Sequence, residues 1–279
     1  MLKLGCFGVK NFLINLRGIW ARAYVRIIVI NREFSWLFFE VLFPLFPICA
    51  FAYMYKAMNA PADSQGFVLL GGAMVSVWLN VLWSMAAQFY WERETGNLSL
   101  YIMSPMNMMS VLLGMALGSI ISAVLRIVII CAAGSFLFSV TMNVSSYFWL
   151  GMTFFITLAA VFCLGMALAS LFLIYGRNAW NTLNIFMEPV FFLSGFYFPV
   201  KTLGYFFAAL ASALPVTLGL DAMRQLAFKI GPQTGLMPVP MELALLMLLS
   251  VIYFKAAQKF LEKLEHIARS EGRLILRWQ

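Results

Sequence analysis

The stretch that decides the fold is Phe67–Pro105, FVLLGGAMVSVWLNVLWSMAAQFYWERETGNLSLYIMSP. Its first part, Phe67 to Gln88, runs without a charged residue. A bilayer core about 30 Å thick is crossed by roughly 20 apolar residues in a helix. Its second part sets Glu92, Arg93 and Glu94 side by side, in a chain with only 11 acidic residues. A membrane helix that ends in a charged knuckle is therefore the first expectation. Gly96 allows a sharp turn, Leu98 to Met103 can form a short helix, and Pro105 stops it.

The rest of the chain agrees. Of its 279 residues 63% are hydrophobic and 11% charged. A soluble domain carries about 25% charged residues, so this apolar surface belongs in lipid. Six apolar runs are long enough to cross: Trp36–Tyr55, Phe67–Gln88, Met108–Phe138, Tyr147–Ile174, Ala179–Phe198 and Glu242–Phe260. The third and fourth exceed one crossing and must tilt or protrude. The fold class is an all-α polytopic membrane protein.

Charge sets the orientation. The formal net charge is +8, and basic residues gather at both ends. Lys3, Lys10, Arg17, Arg22, Arg26 and Arg32 lie before the first run. Lys255, Lys259, Lys263, Arg269, Arg273 and Arg277 lie in or after the last. The positive-inside rule makes both ends cytoplasmic, which needs an even number of spans. The first long apolar run starts near Trp36, behind a basic segment, so no cleavable leader is expected. Nucleic acid is not needed to explain the basic balance.

Three regions follow: 1–35, 36–262 and a basic tail, 263–279. In the first, Leu13, Leu16, Trp20, Tyr24 and Ile27 follow helical spacing with basic residues among them. That is an amphipathic helix suited to the inner headgroup region, either as a topology anchor or as a platform for a cytoplasmic partner. Within the second region, 199–235 is too apolar for a solvated loop. Tyr205–Leu214 and Thr217–Ile230, parted by Pro215, read as two short re-entrant helices, with Asp221 and Arg224 spaced for a local pair.

Polar residues inside spans are costly and therefore informative. Ser76, Asn80, Ser84 and Gln88 recur every four residues on the second run. Asn181, Asn184 and Glu188 share a face of the fifth, with Asn178 at its end. Either stripe is interhelical glue or the lining of a path for a polar or amphiphilic substrate. Arg126 in the third run is expected to meet Glu188 or to snorkel outward. Gly114, Gly118 and Ser122 form a small-residue face for close packing, with the partner open. Cys6, Cys49, Cys131 and Cys163 lack metal-ligand spacing and read as small buried hydrophobes.

The catalytic inventory is poor. No GxxxxGK[ST] motif is present, and His266 is the single histidine. No carboxylate cluster for a divalent metal stands at either interface. Neither catalysis, nor a metal, nor a cofactor bound by this chain is expected. A membrane transferase lacks an acid–metal cluster, and an ion-coupled transporter lacks inverted repeats.

The residues do resemble a family. Glu92-Arg93-Glu94-Thr95-Gly96, Leu98 and Ser104-Pro105 look like the ERE-x-G-x-L…SP signature of ABC-2 type transporter permeases. Ser194-Gly195-Phe196-Tyr197-Phe198-Pro199 is similar to that family's SG-x-x-FP. Leu203, Pro215, Thr217, Asp221 and Arg224 continue it in the manner of PLT-x-x-x-[DE]-x-x-R. Ser99 stands where an acid is frequent. Gly204 stands where proline is frequent, which is expected to loosen the turn.

The resemblance implies a half-transporter. Two permeases, alike or different, pair and dock on two ATPase subunits, which hold the ATP and Mg. The segment 89–107 becomes the coupling helix, with Glu92, Arg93, Glu94, Gly96, Ser104 and Pro105 meeting the ATPase. Ser76, Asn80, Ser84, Asn181, Asn184 and Glu188 fall on the family's pathway helices. Gly195, Phe198, Pro199, Pro215, Asp221 and Arg224 take the place of an extracellular gate. The membrane would be a bacterial or archaeal cytoplasmic (inner) one. The motifs after the fifth run look closest to exporters of drugs, lipids or nodulation factors, which implies an amphiphilic or lipid-like substrate moved outward. Alternatives are a polysaccharide or lipid-linked glycan permease and, in another class, an ion-coupled secondary transporter.

Overall fold

The computed structural model describes residues 2–32, 34–61, 63–140, 143–175 and 187–271, and no strand occurs among them. The helices are α1 (Leu2–Arg32), α2 (Phe34–Ala57), α3 (Asp63–Val81), α4 (Ala87–Glu94), α5 (Asn97–Met103), α6 (Met108–Phe138) and α7 (Tyr147–Tyr175). Then come α8 (187–193), α9 (Tyr205–Ala211), α10 (Pro215–Ala227), α11 (Gly231–Thr234) and α12 (Val239–Glu271). A π-helical turn, Leu82–Ala86, joins α3 to α4.

Among the described residues five helices are long and apolar enough to cross a membrane: Phe38–Ala57, Asp63–Met85, Met108–Phe138, Tyr147–Ser170 and Val239–Lys263. They coincide with five of the expected runs. Of the fifth run, Ala179–Phe198, only the part from Met187 onward is described, and Asn178, Asn181 and Asn184 lie outside the described residues.

The helix ends follow local chemistry. Asn107 caps α6, its Oδ1 accepting from Met109 N at 3.0 Å. Pro215 opens α10 at the position where its missing N–H costs nothing. Gly96 enters α5 at φ +80°, a conformation that an L side chain rarely takes. Gly204 enters α9 at φ +85°. Proline is held near φ −65°, so a proline at this position could not make the same turn.

The core centres on α3, which packs against α2, α6, α7 and α10. Trp78, Met74, Leu82, Met85 and Phe162 are buried at its middle. Two short helices form where the sequence suggested them, α9 and α10, which meet at 108°. Their roles differ. In α10 every residue but Leu226 is buried, whereas α9 leaves Tyr205 and Phe206 exposed.

The partner of the small-residue face proves to be α1. A Cβ on Gly114 would stand 2.6 Å from Ile19 O and 2.8 Å from Arg22 Cβ. One on Gly118 would stand 2.7 Å from Arg26 Cβ. The contacts advance in step along both helices, so α1 runs beside the first turns of α6 instead of lying apart from the bundle. Two glycines one turn apart let the two backbones approach this closely.

Candidate functional site

The elbow is built from the charged knuckle, which the structure splits. Glu92 is only 5% exposed. Its Oε1 accepts from Arg22 Nη2 of α1 and from Gln88 Nε2 at 3.1 Å. Its Oε2 accepts from the Tyr101 hydroxyl of α5 at 3.2 Å. One carboxylate thus joins α1, α4 and α5. The Arg22 guanidinium also lies 5.5 Å from the Tyr101 ring centre. Burial pushes the Tyr101 phenol above its usual range, against the pull of Arg22 and with the help of Glu92, so it stays a donor.

Glu94 points the other way and is exposed, as are Trp91, Leu100 and Met103. Leu98 is buried, so the short α5 has an inner and an outer face. Thr95 Oγ1 donates to Trp91 O at 2.9 Å and closes the end of α4. Ser104 is extended, at φ −70° and ψ 147°, as the residue before Pro105 must be. Its Oγ accepts from Met106 N at 3.4 Å. The Arg93 side chain lies outside the described residues.

The second-run stripe is buried within the chain. Ser76, Asn80 and Ser84 are each under 5% exposed. Ser76 Oγ donates to Ala73 O at 2.6 Å. Ser84 Oγ reaches Asn80 O at 2.5 Å and Ser119 Oγ of α6 at 3.0 Å. The Asn80 amide satisfies both its ends only with its oxygen toward Arg126, accepting from Nη1 at 2.7 Å and Nη2 at 3.1 Å.

Arg126 does not meet Glu188 and does not snorkel. It is 4% exposed, and its Nη2 lies 2.6 Å from Glu40 Oε2 on α2. The chain Glu40–Arg126–Asn80, continued by Ser84 and Ser119, joins α2, α6 and the second span. Glu188 is exposed on α8. Desolvation explains the choice: a guanidinium between helices needs its counter-charge beside it, and α2 packs on α6. Next to this network the helix takes its π turn, with Ala87 N donating to Leu82 O. That turn parts Gln88 from the stripe and gives it to the elbow.

The third assembly lies at the end of the bundle opposite the elbow. Arg224 is 2% exposed. Its Nη1 donates to Gly195 O at 2.8 Å and Phe198 O at 3.3 Å. Its Nη2 donates to Phe67 O at 2.8 Å and Phe196 O at 2.7 Å. The guanidinium also sits 5.3 Å from the Phe67 ring centre. It therefore clamps α10 to the turn after α8 and to the start of α3. Gly195, at φ +62°, turns its carbonyl into the clamp. Pro199 leads into the 3-10 turn Val200–Leu203.

Asp221 and Arg224 are near enough to attract one another, but no salt bridge or hydrogen bond between them occurs among the described residues. Asp221 Oδ2 instead accepts from Leu236 N at 2.8 Å and from Gln225 Nε2 at 3.1 Å. Gln225 Nε2 also reaches Met237 O at 2.8 Å and Glu242 Oε2 of α12 at 3.3 Å. One amide thus holds α10, the following loop and α12. Gln225→Leu is expected to lower stability by about 1–3 kcal/mol, because buried acceptors lose their donor. A detergent melting curve that matches the parent would show that the amide is dispensable.

Sequence reasoning missed Gln225, Glu242 and the partnership of Arg22 with Glu92. Glu242 was visible as the first residue of the last run, and Gln225 as the neighbour of Arg224. Among the described residues no group of three or more His, Cys, Asp or Glu could hold a metal.

Residues 18–228 match a family model described as ABC-2 type transporter. That span takes in the elbow, the buried network and the Arg224 clamp. No curated protein matches the chain.

Proposed function

The chain belongs to the ABC-2 type transporter family as a multi-pass membrane component, and from that premise we propose that it is the permease half of an ATP-driven exporter. The family implies a partner ATPase. In this reading two permeases pair, alike or different, and two ATPase subunits bind the ATP and Mg. Both termini are cytoplasmic, the membrane is a prokaryotic inner one, and the cargo is amphiphilic.

The observation that carries the reading is the division of the knuckle. Glu92 is held from three sides, while Glu94, Leu100 and Met103 face away from the bundle. A rigid inner joint with a free outer face suits an element that receives a push. We therefore read α5 as the coupling helix.

The second-span stripe supports packing better than lining, because Ser76, Asn80 and Ser84 spend their polar atoms inside one chain. The exposed Glu188 keeps the fifth run as the better pathway candidate. We leave Gly195, Phe198, Pro199, Pro215 and Arg224 at the outer gate, with Arg224 as its hinge pin.

The test is copurification. The chain is expected to retain a P-loop ATPase, and ATP turnover should respond to substrate only with both subunits present. Glu94→Ala should fold normally, since the side chain is exposed, and lower coupled transport or ATPase retention by up to about fivefold. Unaltered retention and unaltered coupled transport would remove α5 as the docking element. Transport by the chain alone, driven by an ion gradient, would remove the whole assignment.

A further inference from the structure

The first helix presents a face that no other described residue covers. Ile19, Arg22, Ala23 and Arg26 are turned to α6 and to Glu92. The other side leaves Phe12, Leu16, Trp20 and Tyr24 exposed, each four residues from the next, with Leu13 and Ile28 beside them. Four residues overshoot a helical turn by about 40°, so these side chains form one slowly winding stripe. Arg17 and Arg32 are exposed as well. From Leu2 to Arg32 the helix holds six Lys and Arg and no Asp or Glu.

We propose that this face of α1 binds anionic phospholipid in the leaflet at the elbow end of the bundle. The stripe supplies what an acyl-chain boundary takes, with Trp20 and Tyr24 suited to the headgroup level. The charge selects the headgroup. A basic residue at a membrane surface favours anionic lipid by a factor of about five. A second copy of the chain fits worse. A two-fold contact would set Arg17 close to its own image, and neither helix has a carboxylate to meet it. A protein partner would have to bring both an apolar groove and its own carboxylates.

The full chain in nanodiscs provides the test. Brominated phosphatidylglycerol or brominated phosphatidylcholine is titrated into a phosphatidylcholine background, and the Trp20 emission is isolated as the difference between the parent and Trp20→Phe. Trp20 should be quenched by both lipids. Half-quenching should need about fivefold less of the anionic one. Arg17→Gln and high salt should each shrink that advantage. Equal quenching by the two lipids would overturn the headgroup preference. Absence of Trp20 quenching by either would mean that protein, a second copy included, covers the face. Because the chain need not turn over, these readings stand apart from any failure of the transport assignment.

Discussion

Replacing Arg224 by leucine is expected to leave little folded protein to assay. The guanidinium is the donor to four backbone carbonyls, those of Phe67, Gly195, Phe196 and Phe198. Leucine fills the space and donates to none of them. At about 1 kcal/mol or more for each buried acceptor orphaned, the loss is about 4 kcal/mol. A domain stable by only about 5–15 kcal/mol does not absorb that easily. Arg224→Lys should lie between, because one ammonium cannot imitate the planar fork. Asp221→Asn should cost clearly less than Arg224→Leu, since an amide oxygen still accepts from Leu236 N although the guanidinium loses a nearby carboxylate charge. A melting curve in detergent separates the cases. If Asp221→Asn costs as much as Arg224→Leu, an ion pair matters more than the carbonyl clamp.

The second large effect concerns the buried pair on α2 and α6. Glu40→Leu leaves Arg126 among helices with Asn80 and no counter-charge. The expected loss is about 3–5 kcal/mol. Arg126→Leu should cost less, because the Glu40 side chain is 24% exposed and can turn toward headgroups. Combining both leucines should recover most of the loss, since a well-packed apolar pair often replaces a buried ion pair without penalty. The sign of the coupling decides the matter. If the double variant is worse than Glu40→Leu alone, the pair is not what holds α2 to α6. Exchanging charge between Arg126 and Glu188 should rescue nothing.

The spans were legible because hydropathy is a one-dimensional property and a bilayer demands it over a fixed length. Five helices fall where their apolar runs lie, and α5 falls between Gly96 and Pro105 as those two residues require. Partners across helices were not legible. Sequence alone sends Arg126 to Glu188 or outward and passes over Glu40, because spacing along the chain does not say which helix packs beside which. The Asp221–Arg224 spacing suggested a pair that tertiary contacts outbid, because four carbonyls offered Arg224 more than one side chain did. The knuckle looked uniform in sequence. Burial made Glu92 a structural anchor and left Glu94 outside, a distinction that three adjacent charges cannot reveal. The match over residues 18–228 fits the motifs, which depend on local order more than on contacts.

One residue's worth of slack in the second span has a further meaning. The π turn at Leu82–Ala86 shifts the phase of everything below it relative to everything above. The upper half of the helix is aligned by Asn80 toward Arg126, the lower half by Glu92 toward Arg22. A uniform helix has a single phase and could satisfy both alignments only by coincidence. The turn acts as a vernier between two fixed scales. Its geometry is as constrained as its residues: were the turn to revert to regular α-helix, the lower half would rotate by about 100°. Glu92 would then face away from α1, although every side chain in the span were kept.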